Sequence, residues 1–352
     1  MPVGVPPFAR LKMKKRTQEV VENTSVRFFL PAHPTSLGDP TNAGEPPISH
    51  AAFASHAKMK DTRSGDPLAE ILKLQDAIRT LVRDGDLVAM EGFTHLIPFA
   101  AGHEIIRQKK RNLTVTRMTP DIIYDQLIGC GCVAKLIFSW GGNPGVGSLH
   151  RMRDAVEKNW PIPLALEEHA HAGMAAAYAA GAANLPFGML RGYIGTDLPK
   201  HNPRIKFIEC PFTGEKLAAV PAMRPDVTVI HAQKADRKGN VLIWGIVGVQ
   251  KEAVLAAKRA IVTVEEIVDD LNAPSNSVVL PHWVLSAVCE VKGGAFPSYA
   301  AGYYPRNNAF YKQWDNISRE RESFQAWIDR HVLGTADFAE FKKSMAAEKS
   351  NA

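Results

Sequence analysis

The chain has 352 residues, enough for one large or two modest domains, and its 45% hydrophobic and 22% charged residues are the proportions of a globular protein. No apolar run approaches the roughly 18–20 residues of a membrane-spanning helix, which excludes one. The formal net charge is +6, but residues 1–64 alone hold nine Lys/Arg against five Asp/Glu, leaving the remainder near +2; that is no electrostatic footprint for nucleic acid.

Residues 1–64 are rich in Pro, Ser, Thr, His and Ala and lack sustained periodicity. They are expected to be a disordered N-terminal extension, or sequence upstream of a natural start near Met59. The basic cluster Lys12 to Arg16 could be a targeting signal, but Glu19 and Glu22 follow it and no apolar stretch accompanies it, so a secretory signal is not expected. Residues 65–335 are expected to form one domain, and 336–352 a tail.

Folding is expected to begin with a helix capped by Asp66-Pro67, carrying Leu68, Ile71, Leu72, Ile78, Leu81 and Val82 at helical spacing and stopping at Gly85. Asp84 to Pro98 (DGDLVAMEGFTHLIP) follows. Its apolar run Leu87 to Met90 reads as a strand, Glu91-Gly92 as a tight turn, Phe93 to His95 as a short loop, and a helix starts around Leu96 to Pro98. That order places backbone N–H groups and a helix N-terminus beside anything bound at the strand's carboxyl end. Many α/β proteins carry such a turn with no ligand.

Further strands are predicted at 113–118, 135–138 and 164–166, alternating with helices at 121–127, 149–158 and 173–183. This alternation argues for a mostly parallel open sheet with flanking helices. From about Ile205 the chain becomes strand-rich, with strands at 206–209, 227–231, 241–243, 260–264, 278–280 and 284–291, a helix at 250–259, and a turn at Gly239-Asn240. Asn308 to Leu333 reads as one amphipathic helix carrying Phe310, Trp314, Phe324 and Trp327.

Several stretches could carry chemistry. The glycine-rich run Gly141 to Ser148 (GGNPGVGS) lies at a strand-to-helix junction and matches neither phosphate-binding glycine motif; it could wall a site beside Gly92 or be a plain loop. Glu167-Glu168-His169-Ala170-His171 invites a metal or acid–base reading, but no third distant ligand stands out; one substrate-facing residue, or structural hydrogen bonding, is the alternative. Ser139 and Ser148 lack a G-x-S-x-G setting and an evident base. Glu265-Glu266 follows a strand and could be catalytic or an acidic pair opening a helix. Cys130-Gly131-Cys132 is a C-x-C, and with Cys210 and Cys289 it makes no metal or disulfide framework; the four are read as core or near-core thiols of a reducing, cytoplasmic compartment. No metal site is expected.

Three stretches in register resemble the alpha-type half of family I CoA-transferases: Asp84 to Phe93 (DGDLVAMEGF), Lys234 to Asn240 (KADRKGN) and Val262 to Asp269 (VTVEEIVD). The resemblance spans Leu74 to Gly302. Arg117 to Asp121 (RMTPD) and Ser139 to Gly145 (SWGGNPG) are most similar to the A subunit of glutaconate-type CoA-transferases.

The resemblance implies an open α/β fold and a B-type partner of similar fold, assembling to a heterotetramer or larger. It implies coenzyme A as substrate with no permanently bound cofactor, and transfer of CoA to a short-chain acid, dicarboxylic acids among the candidates. The nucleophilic glutamate is expected on the partner. On this chain Gly92, Phe93, Thr94 and His95, with Asn143, Pro144 and Gly145, are expected to build the acyl pocket. No nucleic acid or membrane partner is implied. A CoA-ester or ring-opening C–C hydrolase on the same scaffold is the alternative, and a non-catalytic CoA-ester or sugar-phosphate sensor a further one. The opening motif departs from the 3-oxoacid form G-G-F-x-x-x-G-x-P at Glu91, at Ile97 and in the position of Pro98, which points away from 3-oxoacids. Glu91 is a candidate catalytic carboxylate, although at a strand end beside a helix N-terminus it is expected to be an ion with a depressed pKa.

Overall fold

The computed structural model describes residues 69–350, Gly145 excepted. The extension at 1–64 and the expected Asp66-Pro67 cap lie outside the described residues. A short strand β1 (Glu70–Ile71) and helix α1 (Leu74–Leu81) come first. Four strand–helix units follow: β2 (Leu87–Met90) and α2 (Phe99–Arg107), β3 (Leu113–Thr116) and α3 (Ile122–Gly129), β4 (Val133–Phe138) and α4 (His150–Lys158), β5 (Ala165–Glu168) and α5 (His171–Ala182).

The chain then builds β6 (Phe187–Leu190), a single helical turn α6 (Leu198–His201), β7 (Lys206–Glu209) and β8 (Lys216–Pro221). It returns to the main layer with β9 (Val227–Asp236), β10 (Val241–Ile243), α7 (Gln250–Ala256), β11 (Arg259–Val268), β12 (Val278–Leu280) and β13 (Ala287–Glu290). Helices α8 (Asn308–Arg319) and α9 (Arg321–Trp327), a π-helical turn Ile328–Leu333 and α10 (Phe338–Ser350) close it.

Strands β1-β13-β11-β9-β2-β3-β4-β5 form a continuous parallel path in that spatial order. The β9–β10 hairpin and β12 add the antiparallel part, giving ten strands. Strands β6, β8 and β7 make a separate antiparallel sheet. The open, mostly parallel sheet with flanking helices and a strand-rich C-terminal part is therefore as expected.

Period-two geometry explains the unbroken apolar run of β2. Val88 and Met90 face a core shared with Ile78, Phe99 and Ile123, while Leu87 and Ala89 face the opposite core with Met174, Tyr178 and Ala253. A strand buried on both faces has no polar side to alternate with.

Some expectations are corrected. Ile71 belongs to β1, paired with Val288, and the helix begins only at Leu74; pairing at the sheet's edge overrides local helical spacing. Glu265 and Glu266 do not open a helix, because β11 runs through them to Val268 alongside β9. The helix expected over Asn308 to Leu333 breaks at Glu320, whose backbone is extended (φ −103°, ψ 148°), although Phe310, Trp314, Phe324 and Trp327 all face the core. Residues 336–352, read as a tail, contain α10, which buries Phe338, Phe341 and Met345. Among the described residues no helix is long and apolar enough to cross a membrane.

Candidate functional site

Strand β2 is the point where the chain's order reverses: β3, β4 and β5 lie on one side of it, β9, β11 and β13 on the other. In open parallel sheets the crevice outside the strands' carboxyl ends at such a switch is where ligands bind. The loop leaving β2, residues 91–98, occupies that place.

The loop's shape is over-determined. A Cβ on Gly92 would come within 2.8 Å of the carbonyl oxygens of both His95 and Leu96, so only glycine fits. Thr94 and Leu96 hold left-handed backbones (φ 57° and 54°), unfavourable for residues with a Cβ. Outside contacts hold these angles. Leu96 N–H donates to Tyr299 O at 2.9 Å and Ser298 Oγ to Thr94 O at 2.8 Å. His95 is wholly buried: Ala301 N–H donates to its Nε2 at 2.9 Å, which leaves Nδ1 as the protonated nitrogen, 3.1 Å from Ile246 O. Burial lowers the pKa of this ring, in keeping with a neutral imidazole. His95 thus pins the loop to 246 and 301 with both ring nitrogens. Phe93 is left 38% exposed and Thr94 half-buried at the lip.

Behind the loop lies a buried polar layer. Arg117 Nη2 donates to Gly92 O at 2.6 Å, and its Nη1 pairs with Asp121 at 3.0 Å, both side chains being inaccessible to solvent. Glu91 Oε1 accepts from Tyr178 Oη at 2.8 Å and from Met118 N–H at 3.2 Å. The depressed pKa expected for Glu91 is corrected. Burial raises its pKa to about 7, against the lowering influence of Arg117 and of hydrogen bonds from Tyr178, Met118 and Gly92. The helix that was to stabilise its charge starts only at Phe99, and desolvation prevails. Glu91 joins β2, the segment after β3, and α5.

Met118 continues the chain of contacts. Its carbonyl oxygen accepts from Ser139 N–H and from Ser139 Oγ at 2.6 Å. Ser139 Oγ in turn lies 3.1 Å from His171 Nδ1 at the start of α5, and the Phe93 ring meets the His171 ring edge-on at 6.3 Å. Ser139 therefore does have an imidazole partner, 32 residues away in sequence.

The second glycine-rich wall adjoins this layer. Gly142 N–H donates to Pro120 O, so the 117–121 segment lies between the two loops. Asn143 is buried and donates from Nδ2 to Tyr311 O at 2.6 Å, and Ser148 N–H and His150 both reach Asp315. Asn143 is thereby fastened to α8, with its Oδ1 left without a partner among the described residues; Pro144 is half-buried and Gly145 lies outside the described residues. Exposed Trp140 begins it.

The acidic pair divides. Glu265 is buried, taking Tyr304 Oη at 2.6 Å, Gly293 N–H at 2.6 Å and His231 Nε2 at 2.7 Å. Burial would raise its pKa, but these hydrogen bonds hold it below the ordinary value. Glu266 points outward to Tyr303 and Lys234. Glu167 also has satisfied partners, Lys135 at 2.6 Å and His169 at 3.0 Å, which overcome burial and hold its pKa down at about 2. Among the described residues no group of three or more His, Cys, Asp or Glu could hold a metal ion. The four thiols are free; Cys132 and Cys289 are buried, Cys130 and Cys210 half-buried.

A family model described as Coenzyme A transferase matches residues 71–290. The A subunit of the 3-oxoadipate CoA-transferase of Pseudomonas knackmussii is 69% identical over 282 residues, 80% of this chain and 100% of that protein. The A subunit of the glutaconate CoA-transferase of Acidaminococcus fermentans is 32% identical over 302 residues, 80% of this chain and 93% of that protein. The crystal structure of the Acidaminococcus glutaconate enzyme superposes with a TM-score of 0.73 over 80% of this chain and 94% of that one, at 32% identity. A crystallised variant of the decarboxylase AibA/AibB superposes with a TM-score of 0.66 over 75% of this chain and 99% of that one, at 28% identity.

Proposed function

This chain belongs to the coenzyme A transferase family, and from that premise we propose that it is the A-type half of an enzyme that moves CoA from an acyl-CoA to a short-chain 3-oxo dicarboxylic acid, with 3-oxoadipate as the acceptor to test first. The observation that carries this reading is the 69% identity to the A-type half of a 3-oxoadipate CoA-transferase over that protein's whole length. It weighs more than the departures at Glu91 and Ile97, since Glu91 finds structural partners in Tyr178 and Met118.

In this reading the loop at 92–95 and the wall at 139–145 form one side of the acyl pocket, and a B-type partner brings the nucleophilic glutamate to the other. Its carboxylate attacks the thioester carbon and expels CoA thiolate, leaving an acyl-glutamyl anhydride. The thiolate attacks the glutamyl carbonyl, expels the first acid and forms a glutamyl-CoA thioester. The second acid then repeats these steps in reverse order. Phe93 and Trp140, exposed and apolar at the lip, suit contact with an acyl chain or with the partner.

The test is co-expression with a B-type partner and assay of CoA transfer from succinyl-CoA to 3-oxoadipate. Ping-pong kinetics and a hydroxylamine-sensitive glutamyl-CoA adduct on the partner are expected, and the isolated chain is expected to be inactive. Release of free CoA by water with no trappable adduct would favour a hydrolase instead.

A further inference from the structure

His171 stands out among the titratable groups at the carboxyl edge of the sheet. His95, His169 and His231 are buried and engaged on both ring nitrogens. His171 is exposed and engaged on one. Ser139 Oγ lies 2.6 Å from Met118 O, a contact only the serine hydroxyl proton can make, so the serine oxygen is left to accept from His171 Nδ1–H at 3.1 Å. The imidazole is thereby oriented through Nδ1, while Nε2 has no partner among the described residues. The Phe93 ring, at the lip of the loop that Gly92 and His95 fix, lies edge-on against it.

An apolar wall with one oriented polar atom is how binding sites fix the direction of a small ligand. Resting on the functional reading above, we propose that His171 is the specificity-determining residue of this chain, receiving at Nε2 the carboxylate at the far end of a dicarboxylic acyl group. An Nε2–H donated to the carboxylate leaves the Nδ1–H bond to Ser139 in place, since the two nitrogens point to opposite sides of the ring. The groups that surround the ring are compatible with this. Phe93 is apolar, Ser139 is neutral, and Arg117, the nearest cation of the loop layer, is buried and committed to Asp121 and Gly92 O. Arg306, the cation nearest the Pro144 end of the wall, is stacked on Tyr311 and donates to Pro144 O. At the Phe93 end, His171 presents an exposed ring nitrogen that no described residue occupies. Ser139 is a positioning residue, acting only through His171.

The experiment uses the complex of this chain with its B-type partner and compares two acceptors of equal length, 3-oxoadipate and 3-oxohexanoate, which carries a methyl group in place of the distal carboxylate. In H171F the ratio of kcat/KM for the dicarboxylic over the monocarboxylic acid is expected to fall about 10- to 100-fold, the range of one charge-assisted hydrogen bond. The loss should lie mainly in KM for 3-oxoadipate. H171Q, which can still donate, is expected to recover part of the ratio, and S139A to lower it less than H171F. A ratio unchanged in H171F, or equal losses on both acids, overturns the assignment of His171 while leaving the functional reading intact. A wild-type complex that transfers no CoA to 3-oxoadipate overturns that reading and this one with it.

Discussion

Arg117 holds the carbonyl oxygen of Gly92 at 2.6 Å from a guanidinium that solvent does not reach. A buried cation thus fixes the backbone of the site's central loop, and its charge is answered by Asp121 at 3.0 Å rather than by a ligand. Replacing Arg117 by Ala leaves Asp121 buried and unpaired, and is expected to cost about 3–5 kcal/mol of stability. Urea unfolding of R117A beside the R117A/D121A pair checks this; the double variant should recover part of the loss. Equal stabilities of R117A and wild type would remove Arg117 from the account.

Gly92 leaves no room for a methyl group. A Cβ there falls 2.8 Å from two backbone carbonyl oxygens and 3.0 Å from Ile97 Cα, none of which is a flexible side-chain end. G92A is expected to lose about 1–3 kcal/mol, with the loop displaced and transfer activity reduced far more than global stability. Thermal unfolding and the activity of the complex, measured on the same preparation, separate the two effects.

Glu91 links stability to pH near neutrality. Its folded pKa, about 7, lies above the ordinary 4.5, so the folded state holds a proton that the unfolded state has released. The stabilisation is complete below about pH 4.5 and is lost as pH rises through 7, the loss reaching about 3 kcal/mol at the alkaline end. E91Q keeps an oxygen for Tyr178 and Met118 but cannot ionise, so the stability of wild type relative to E91Q should fall between about pH 5 and 8. Y178F removes a hydrogen bond that lowers this pKa, and should move the decline to higher pH. A pH series of urea midpoints that runs parallel for wild type and E91Q would contradict the assignment.

Glu265 behaves in the opposite sense. Its folded pKa lies below the ordinary carboxylate value, so its stabilisation is present above pH 4.5 and lost as pH falls through the folded value. Tyr304 Oη donates to it at 2.6 Å. Y304F is expected to cost about 1–3 kcal/mol at about pH 7, and less at an acidic pH below the folded value, where Glu265 is neutral. Guanidinium unfolding at the two pH values reads the difference.

Local pattern was enough where a short run of apolar and β-branched residues is bounded by turn residues. Leu87–Met90, Lys206–Glu209, Val241–Ile243 and Val278–Leu280 begin and end as their apolar and β-branched residues indicate. It fell short where distant pairing decides. Ile71 is drawn into a strand by Val288, and Glu265-Glu266 are kept in one by β9. The small sheet of β6 and β8 had no readable signal, because Phe187–Leu190 contains a glycine that must sit against Ala176, and β8 is half alanine and proline.

The site divides in the same way. Gly92 and the loop after β2 were legible because a glycine turn after a buried strand has a local signature. The separate fates of His95 and His171 were not. Whether a histidine pins a loop or faces solvent depends on partners such as Ala301 and Ser139, 206 and 32 residues away. The sign of the Glu91 shift was equally hidden, since it rests on how completely Tyr178 and its neighbours exclude water.

The ends of the parallel path carry a consequence for handling the protein. A wide array of strands offers unpaired N–H and C=O groups at each border, where another chain can add itself. Here one border is β1, two residues long, and the other is β5, which presents Glu168 to solvent and buries Glu167 against Lys135. Brevity at one side and charge at the other discourage molecules from stacking border to border. Exchange of Glu167 and Glu168 for β-branched residues should therefore raise self-association, visible as a rise in light scattering without loss of helix.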